Sequence, residues 1–486
     1  MRVREALAVL VACGLGLLLG GCGGEIGGPT PVRRSPRSNS YDGGRGASGA
    51  GAPGRAVSVT ALEQDYHGWP ALHLSNGIVS LVAVPAVGGR VMEYNLGGAK
   101  LLWVNEQEYG QLYPPPRSKE ERKWHNFGGY KVWPAPEREW GGPPDPLGSE
   151  LDGGQWTGEI VPPSGDAAAI RLVSGPDASV TGLEITREVA LPRDTTEVRV
   201  KETFTNVTQR TITWSIWDVT QVAGLVDANG EPTGKAQVFV PLNPGSRAQG
   251  GYWMSAKQTE TEQYRTIDEG RLLEVTYRRQ SGKVFADSAA GWVAYVNDEA
   301  GLTYVKRFKV EAGAEYPDDG ATVEVYTSGG LPYMEVEVLS PLTELKPGAS
   351  FSFSESWYAT KLNAPVLEVS EFAAIRKRPT LEVTDAGLRV TGELGVFAPG
   401  QIRITAADEG GAEVGQAATL AVSPSQTVVL DQSIEQIEGA TTVRIEMLDK
   451  AGQALGTIAT LAIPGNEDAA EAEAGGCPCR MAANDG

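Results

Sequence analysis

The chain has 486 residues, with 61 acidic against 42 basic side chains and a net charge of −19. That length points to about three domains, and the negative field excludes a nucleic-acid partner, because phosphate binding needs the opposite sign. Glycine (61) and proline (31) are abundant and long helical patterns are scarce, so turns and strands are expected throughout. Cysteine stands only at positions 13, 22, 477 and 479, which leaves the body of the chain without a disulfide framework. No His/Cys cluster offers a transition-metal site, and no cofactor is expected.

At the N-terminus, Arg2 and Arg4 precede an apolar run from Ala6 to Leu19. The run is short for a membrane span and reads as the core of a signal peptide. It ends in Leu19-Gly20-Gly21-Cys22, which resembles the bacterial lipobox: a branched apolar residue, two small residues, then cysteine. The resemblance implies that residues 1–21 are removed and that Cys22 carries the lipid, making the membrane a partner through that residue. Several acyl chains anchor firmly where one binds weakly. Gly23, in place of an aspartate, favours an extracytoplasmic site at the outer membrane of a Gram-negative bacterium. Residues 22–56 have almost no large apolar side chains and read as a flexible tether.

Alternation begins at about Val57. "LHLSNGIVSLVAVPAVGGRVMEYNLGGAKLLWVN" reads as short strands broken at Asn76-Gly77, Gly88-Gly89 and Gly97-Gly98. "TEVRVKETFTNVTQRTITWSIWDVTQV", "GLTYVKRFKV", "ATVEVYTSG", "LPYMEVEVLSPL" and "FSFSESWYATKL" continue the pattern to Leu362. Paired strands without amphipathic helices between them point to packed antiparallel sheets. About 300 residues exceeds an immunoglobulin-like unit, so a larger sandwich is expected. In "YMEVEVLSPL", Glu335, Glu337 and Tyr333 share one strand face. In "TWSIWDVTQV", Trp214, Ile216 and Asp218 share one face and Ser215, Trp217 and Val219 the other. Lys306 shares a face with Tyr304 and Phe308.

The stretches "LSNGIVSLVAVPAVGGRVMEYNL", "WHNFGGYKVWPAPEREW", "WSIWDVTQV" and "AEYPDDGATVEVYTSGGLPYMEVEVLSPLTELKPGASFSFSESWYA" resemble the bacterial family called domain of unknown function 4380. That family is similar to galactose mutarotases (aldose 1-epimerases). The resemblance, over Val57 to Leu362, implies a galactose-mutarotase-like supersandwich with a carbohydrate-sized cleft. It aligns Glu335 with the glutamate that takes the anomeric proton, with Glu337 beside it. The mutarotase histidines are not matched: Phe127 precedes Gly128-Gly129, and the histidine stands at His125. His125, Lys131 and Asp218 are candidate substitutes for the missing acid. A carbohydrate partner would stack on Trp124, Trp133, Trp140 or Trp217 and bond to Lys131, Glu137, Arg138, Arg90 or Lys306. The implied activity is carbohydrate binding; the alternatives are an aldose epimerase-like isomerase and a non-catalytic envelope scaffold.

Residues 363–380 read as a basic linker. A new strand pattern runs from Leu381 to Pro464, with about seven short strands and Phe397 as its lone aromatic. It reads as a small immunoglobulin-like sandwich that spaces or docks. Residues 465–486, which include Cys477 and Cys479, read as a disordered tail. The expected fold is therefore all-β, a large supersandwich followed by a small sandwich.

Overall fold

The computed structural model describes residues 59–114, 121, 123–141, 151–255, 262–385, 387–435 and 438–464. The segments read as a signal peptide and a tether, Cys22, and the segment that holds Cys477 and Cys479 lie outside these residues. The described chain is all-β, and its strands form four antiparallel sheets of twelve, ten, four and four strands.

The two large sheets make the first sandwich. The middle of the first sheet runs through neighbours Arg90–Leu96, Tyr130–Ala135, Ile212–Ala223, Tyr333–Leu339, Val323–Thr327 and Gly282–Ala286. The middle of the second runs through Trp292–Asn297, Leu302–Phe308, Ser350–Lys361, Val198–Asn206 and Leu183–Pro192. Alternation sets the core. Val132, Ile216, Val336 and Val338 of the first sheet bury against Val198, Val200, Phe204 and Trp357 of the second. Leu183–Pro192 shows the ordinary pattern, burying one face and leaving the alternate residues partly exposed. Tyr130–Ala135 departs from it, because every residue is buried on both faces.

The inward face also carries charge. Lys306 is hydrogen-bonded to Asp218 across the core and lies 3.9 Å from Glu355. Trp357 Nε1 donates to Glu355 Oε1 at 2.8 Å. Nearby, Arg187 Nε and Tyr130 OH donate to Glu202 Oε1 at 2.5 and 2.7 Å. Burial pushes Lys306 down to about 8 and raises the carboxyls of Glu202 and Glu355. Asp218 and Lys306, expected at the ligand cleft, are thus corrected to the space between the sheets. Asp218 has the strand parity of core-facing Ile216, and Lys306 makes its burial tolerable.

The small sheets form the second sandwich, around Ile375, Leu388, Val390, Leu394, Ile402, Ile404, Val443 and Ile445. Its strands begin earlier than expected. Glu368–Val369 and Ala373–Thr384 pair within the segment read as a linker, because Ala373 and Ile375 supply core. The basic residues there are engaged. Arg378 bonds both carboxylate oxygens of Asp268, on the first sandwich, at 2.8 and 2.6 Å.

The two sandwiches share an apolar seam. Trp292, Val305, Tyr358 and Leu362 from the first pack with Val366, Ala374 and Phe397, and Phe397 stacks on Tyr358 with ring centres 4.5 Å apart. Backbone bonds cross the seam from Thr196 N to Phe397 O (2.8 Å) and from Lys361 N to Pro424 O (2.7 Å). Residues from Ala56 onward form one compact unit, so a cut between Leu362 and Leu381 strips both pieces of shared core. Phe397→Ala should lower unfolding stability by about 3–5 kcal/mol in a denaturant titration. A loss of less than about 1 kcal/mol would mean the ring is not part of a shared core.

Candidate functional site: a charged row on the outer face of the first sheet

The residues of the first sheet that do not face the core line up across its strands. Trp133 stands opposite Trp217. Lys131 is opposite Val219, Val219 opposite Glu337, and Glu337 opposite Glu324. A neighbouring file runs from Gln221 to Glu335, Tyr326 and Lys283. Residues paired in this way share a face, so the strand register alone gathers three carboxylates, two lysines and two tryptophans.

At one end, Asp152 fixes the geometry. Its Oδ1 accepts from Arg90 at 2.6 Å and from Trp133 Nε1 at 2.9 Å, and its Oδ2 accepts from Trp124 Nε1 at 3.0 Å. Gly88 and Gly89 allow this approach. Both have positive φ, and a Cβ at Gly88 would stand 2.0 Å from the Asp152 carbonyl oxygen. Lys131 Nζ lies 3.6 Å from the centre of the Trp133 ring and 5.1 Å from that of Trp124. Glu335 Oε1 is 3.5 Å from that amine and accepts from Gln221 Nε2 at 2.7 Å. Lys131 Nζ is buried and makes no hydrogen bond. Burial lowers the Lys131 pKa and Arg90 adds to the effect, against the pull of Glu335 and Asp152.

At the other end, Lys283 Nζ bridges Glu324 Oε2 (2.6 Å) and Glu337 Oε2 (2.9 Å) and stands 4.3 Å from the Trp217 ring centre. Trp217 Nε1 donates to the same Glu337 oxygen at 2.6 Å. Burial raises the Glu324 carboxyl well above its ordinary range, and Glu337 and Asp318 push it further. The two carboxylates hold Lys283 protonated. Glu324 Oε1, Glu337 Oε1 and Gln221 Oε1 are buried without hydrogen-bond partners in the chain. Polar atoms left in this way are costly unless a water or a ligand completes them.

Of the residues expected at the cleft, the row holds Glu335, Glu337, Lys131, Trp133 and Trp217, with Arg90 and Trp124 at its end. The tryptophans are less available than expected. Trp133 is 7 % and Trp140 5 % exposed; they pack edge-to-face, and Trp140 Nε1 donates to Pro134 O at 2.6 Å. Both are walls and not free stacking platforms, because a loop this rich in indole rings buries them on itself. Trp124 is half-buried. His125 stacks on Tyr113 at 3.4 Å and lies 3.3 Å from Glu108, neither of which belongs to the row; it is not the row's acid. Glu137 and Arg138 are exposed in the turn Glu137–Glu139. Arg138 approaches Asp318 at 3.9 Å, and the Glu137 carboxyl is raised by desolvation and by Glu337.

Sequence reasoning missed Lys283, Glu324, Gln221, Tyr326 and Asp152. For Glu324 a signal existed. "VEVY" places one glutamate among strand formers, as "MEVEV" does, and a charge in a strand buried on both faces marks a site. For Asp152, in a Leu-Asp-Gly-Gly turn, no signal existed.

Residues 158–360 match the family described as Domain of unknown function (DUF4380), inside the stretch whose motifs carried that resemblance. The match spans the strands of Trp217, Lys283, Glu324, Glu335 and Glu337. No curated protein matches the chain. Among solved structures, a galactose mutarotase-like protein from Clostridium acetobutylicum is 11 % identical, covers 63 % of this chain and 99 % of its own, and has a TM-score of 0.41. A putative aldose 1-epimerase from Escherichia coli K12 is 14 % identical, with coverages of 63 % and 100 % and a TM-score of 0.37. A TPR-domain containing protein from Parabacteroides distasonis is 14 % identical over 64 % of this chain, with a TM-score of 0.41; the match spans only 50 % of that protein.

The raised Glu324 carboxyl has a stability consequence. A carboxyl whose folded pKa lies above its unfolded value stabilises fully below the unfolded value and loses that contribution as pH rises through the folded one. Glu324→Gln should therefore melt close to wild type near pH 4. Above that it should gain on wild type by up to about 1.4 kcal/mol per pH unit until the folded carboxyl ionises. Melting curves of both proteins between pH 4 and 8 check this; a constant difference across the range would contradict it.

Proposed function

We propose that the chain is an extracytoplasmic lipoprotein, anchored through Cys22 at the outer membrane, whose large sandwich binds a carbohydrate on the outer face of its first sheet. The observation that carries the reading is the charged row. Glu335, Glu337, Gln221, Lys131 and Lys283 offer both acceptors and donors, several without partners in the chain, as a polyhydroxylated ligand requires. Half-buried Trp124, Trp253, Phe285 and Tyr326 border it and supply apolar rings for the C–H faces of a sugar. The tight packing of the row supports a ligand held by few, well-oriented groups.

A second reading is an isomerase of the aldose epimerase kind. The 3.5 Å approach of Lys131 to Glu335 favours it, because anomer exchange needs a base and an acid side by side. Phe127, Asp218 and His125 do not supply the second group, which leaves Lys131 as the partner of Glu335.

The test begins with a glycan screen of residues 56–486, followed by calorimetric titration of a hit. Glu335→Gln keeps the shape and removes the anionic acceptor. It should weaken binding about ten- to a hundredfold, the cost of a hydrogen bond to a charged group, with the melting temperature little changed. Equal affinity in wild type and variant would remove the row as the binding site. Optical rotation of freshly dissolved hit saccharide separates the two readings: acceleration of anomer exchange, lost in Glu335→Gln, supports the isomerase. For the anchor, Cys22→Ala should abolish fatty-acid labelling and partition into detergent; a variant that still partitions like the parent would overturn that part.

A further inference from the structure

Two lysines stand on the charged row, and the structure treats them differently. Lys283 is clasped by Glu324 and Glu337 at 2.6 and 2.9 Å, which keeps it an ammonium. Lys131 is only 2 % exposed and has no hydrogen bond. Its nitrogen rests on the Trp133 ring at 3.6 Å, beside Trp124 at 5.1 Å, and Asp152 is already occupied by Arg90, Trp133 and Trp124. An ammonium has three donors to satisfy, and burying one unsatisfied is among the costliest arrangements a protein can adopt. The Trp133 ring and Glu335 favour the ammonium, but burial outweighs them and lowers the Lys131 pKa, which raises the share of neutral amine. Desolvation beside a second cation, here Arg90, is a recognised way to turn a lysine into a nucleophile. Glu335 Oε1, 3.5 Å away, is close enough to pass a proton with a small movement.

We propose that Lys131 is a carbonyl-reactive amine that forms a reversible imine with the open-chain aldehyde of a reducing saccharide, with Glu335 moving the protons. The nitrogen lone pair adds to the carbonyl carbon, and the carbonyl oxygen takes a proton to give a carbinolamine. The carbon–oxygen bond then breaks, water leaves and the carbon–nitrogen double bond forms. Glu335 carries two protons in turn from the nitrogen, the first to the carbonyl oxygen and the second to the departing hydroxyl. No oxidant or reductant enters, and no proton is gained or lost. The saccharide part of this inference rests on the carbohydrate reading above; the reactivity of the amine does not.

The experiment treats the full chain at pH 7 with D-glyceraldehyde, a three-carbon aldehyde small enough for a nearly closed site. Sodium cyanoborohydride traps the imine as a stable secondary amine, and peptide mass mapping locates it. Lys131 should be modified about tenfold faster than Lys100, Lys201 and Lys235, which are about half exposed. Glu335→Gln should slow Lys131 alone, and Lys131→Arg should remove its adduct while leaving the others. Modification of Lys131 no faster than the exposed lysines would overturn the proposal. Glycan binding without selective trapping sinks this inference alone. Selective trapping without binding of any glycan sinks the carbohydrate reading and leaves the amine reactive.

Discussion

Asp152 accepts hydrogen bonds from Arg90, Trp133 and Trp124, and the layout of the outer face depends on them. One carboxylate orients two indoles and a guanidinium, and in doing so builds the aromatic enclosure around Lys131. Its own approach depends on Gly88 and Gly89, where a side chain would collide with the Asp152 carbonyl or the Trp156 ring. Because Asp152 is committed to three donors, it cannot also neutralise Lys131. That leaves Glu335 as the carboxylate within reach of the amine, and Glu335 is the more exposed of the two acids. The division of labour is electrostatic: one acid holds the walls and the other faces the space beside the amine.

The strands beneath this face carry charge on both sides. Inward, Asp218 meets Lys306 and Tyr130 donates to Glu202 across the sandwich, tying the two sheets together by contacts that a hydrophobic core alone would not orient. Outward, the neighbours Trp217 and Gln221 take part in the row. A single strand, Ile212–Ala223, therefore couples the inter-sheet Asp218–Lys306 pair to the position of Glu335 and Glu337. A shift of one residue in its register would exchange the two faces, placing Asp218 outside and Trp217 in the core. The inward Asp218–Lys306 pair thus locks the register that assembles the outward row.

The second sandwich is built into the first by the seam around Phe397 and Tyr358 and by the Arg378–Asp268 pair. The seam lies along the second sheet, through Trp292, Val305 and Tyr358, whereas the charged row lies on the first. The family match over residues 158–360 ends before this module and begins after Arg90, Trp124, Lys131 and Asp152. The row is thus composed of a part inside the matched stretch, with the carboxylates and Lys283, and a part outside it, with the lone amine and its aromatic enclosure.

The order of residues by itself determined the all-β class and the shared face of Glu335 and Glu337, because strand geometry converts spacing directly into sidedness. The same alternation separated Trp217 from Asp218. It did not say which face was core: both faces of Ile212–Ala223 are buried, so hydrophobicity could not choose between them, and Asp218 and Lys306 were expected on the wrong side. The linker at 363–380 misled for a related reason, since its small apolar residues Ala373 and Ile375 fill a core that exists only once the other strands arrive. Asp152, Gln221 and Lys283 became legible only in three dimensions. They lie on separate strands and a turn, up to 131 residues apart in the chain from Asp152 to Lys283, and strand pairing, which is set by long-range contacts, decides which of them meet. The burial of Trp133 and Trp140, and with it the enclosure of Lys131 without a hydrogen bond, was likewise a tertiary decision: whether an indole stacks on a ligand or closes a wall depends on what else reaches its face.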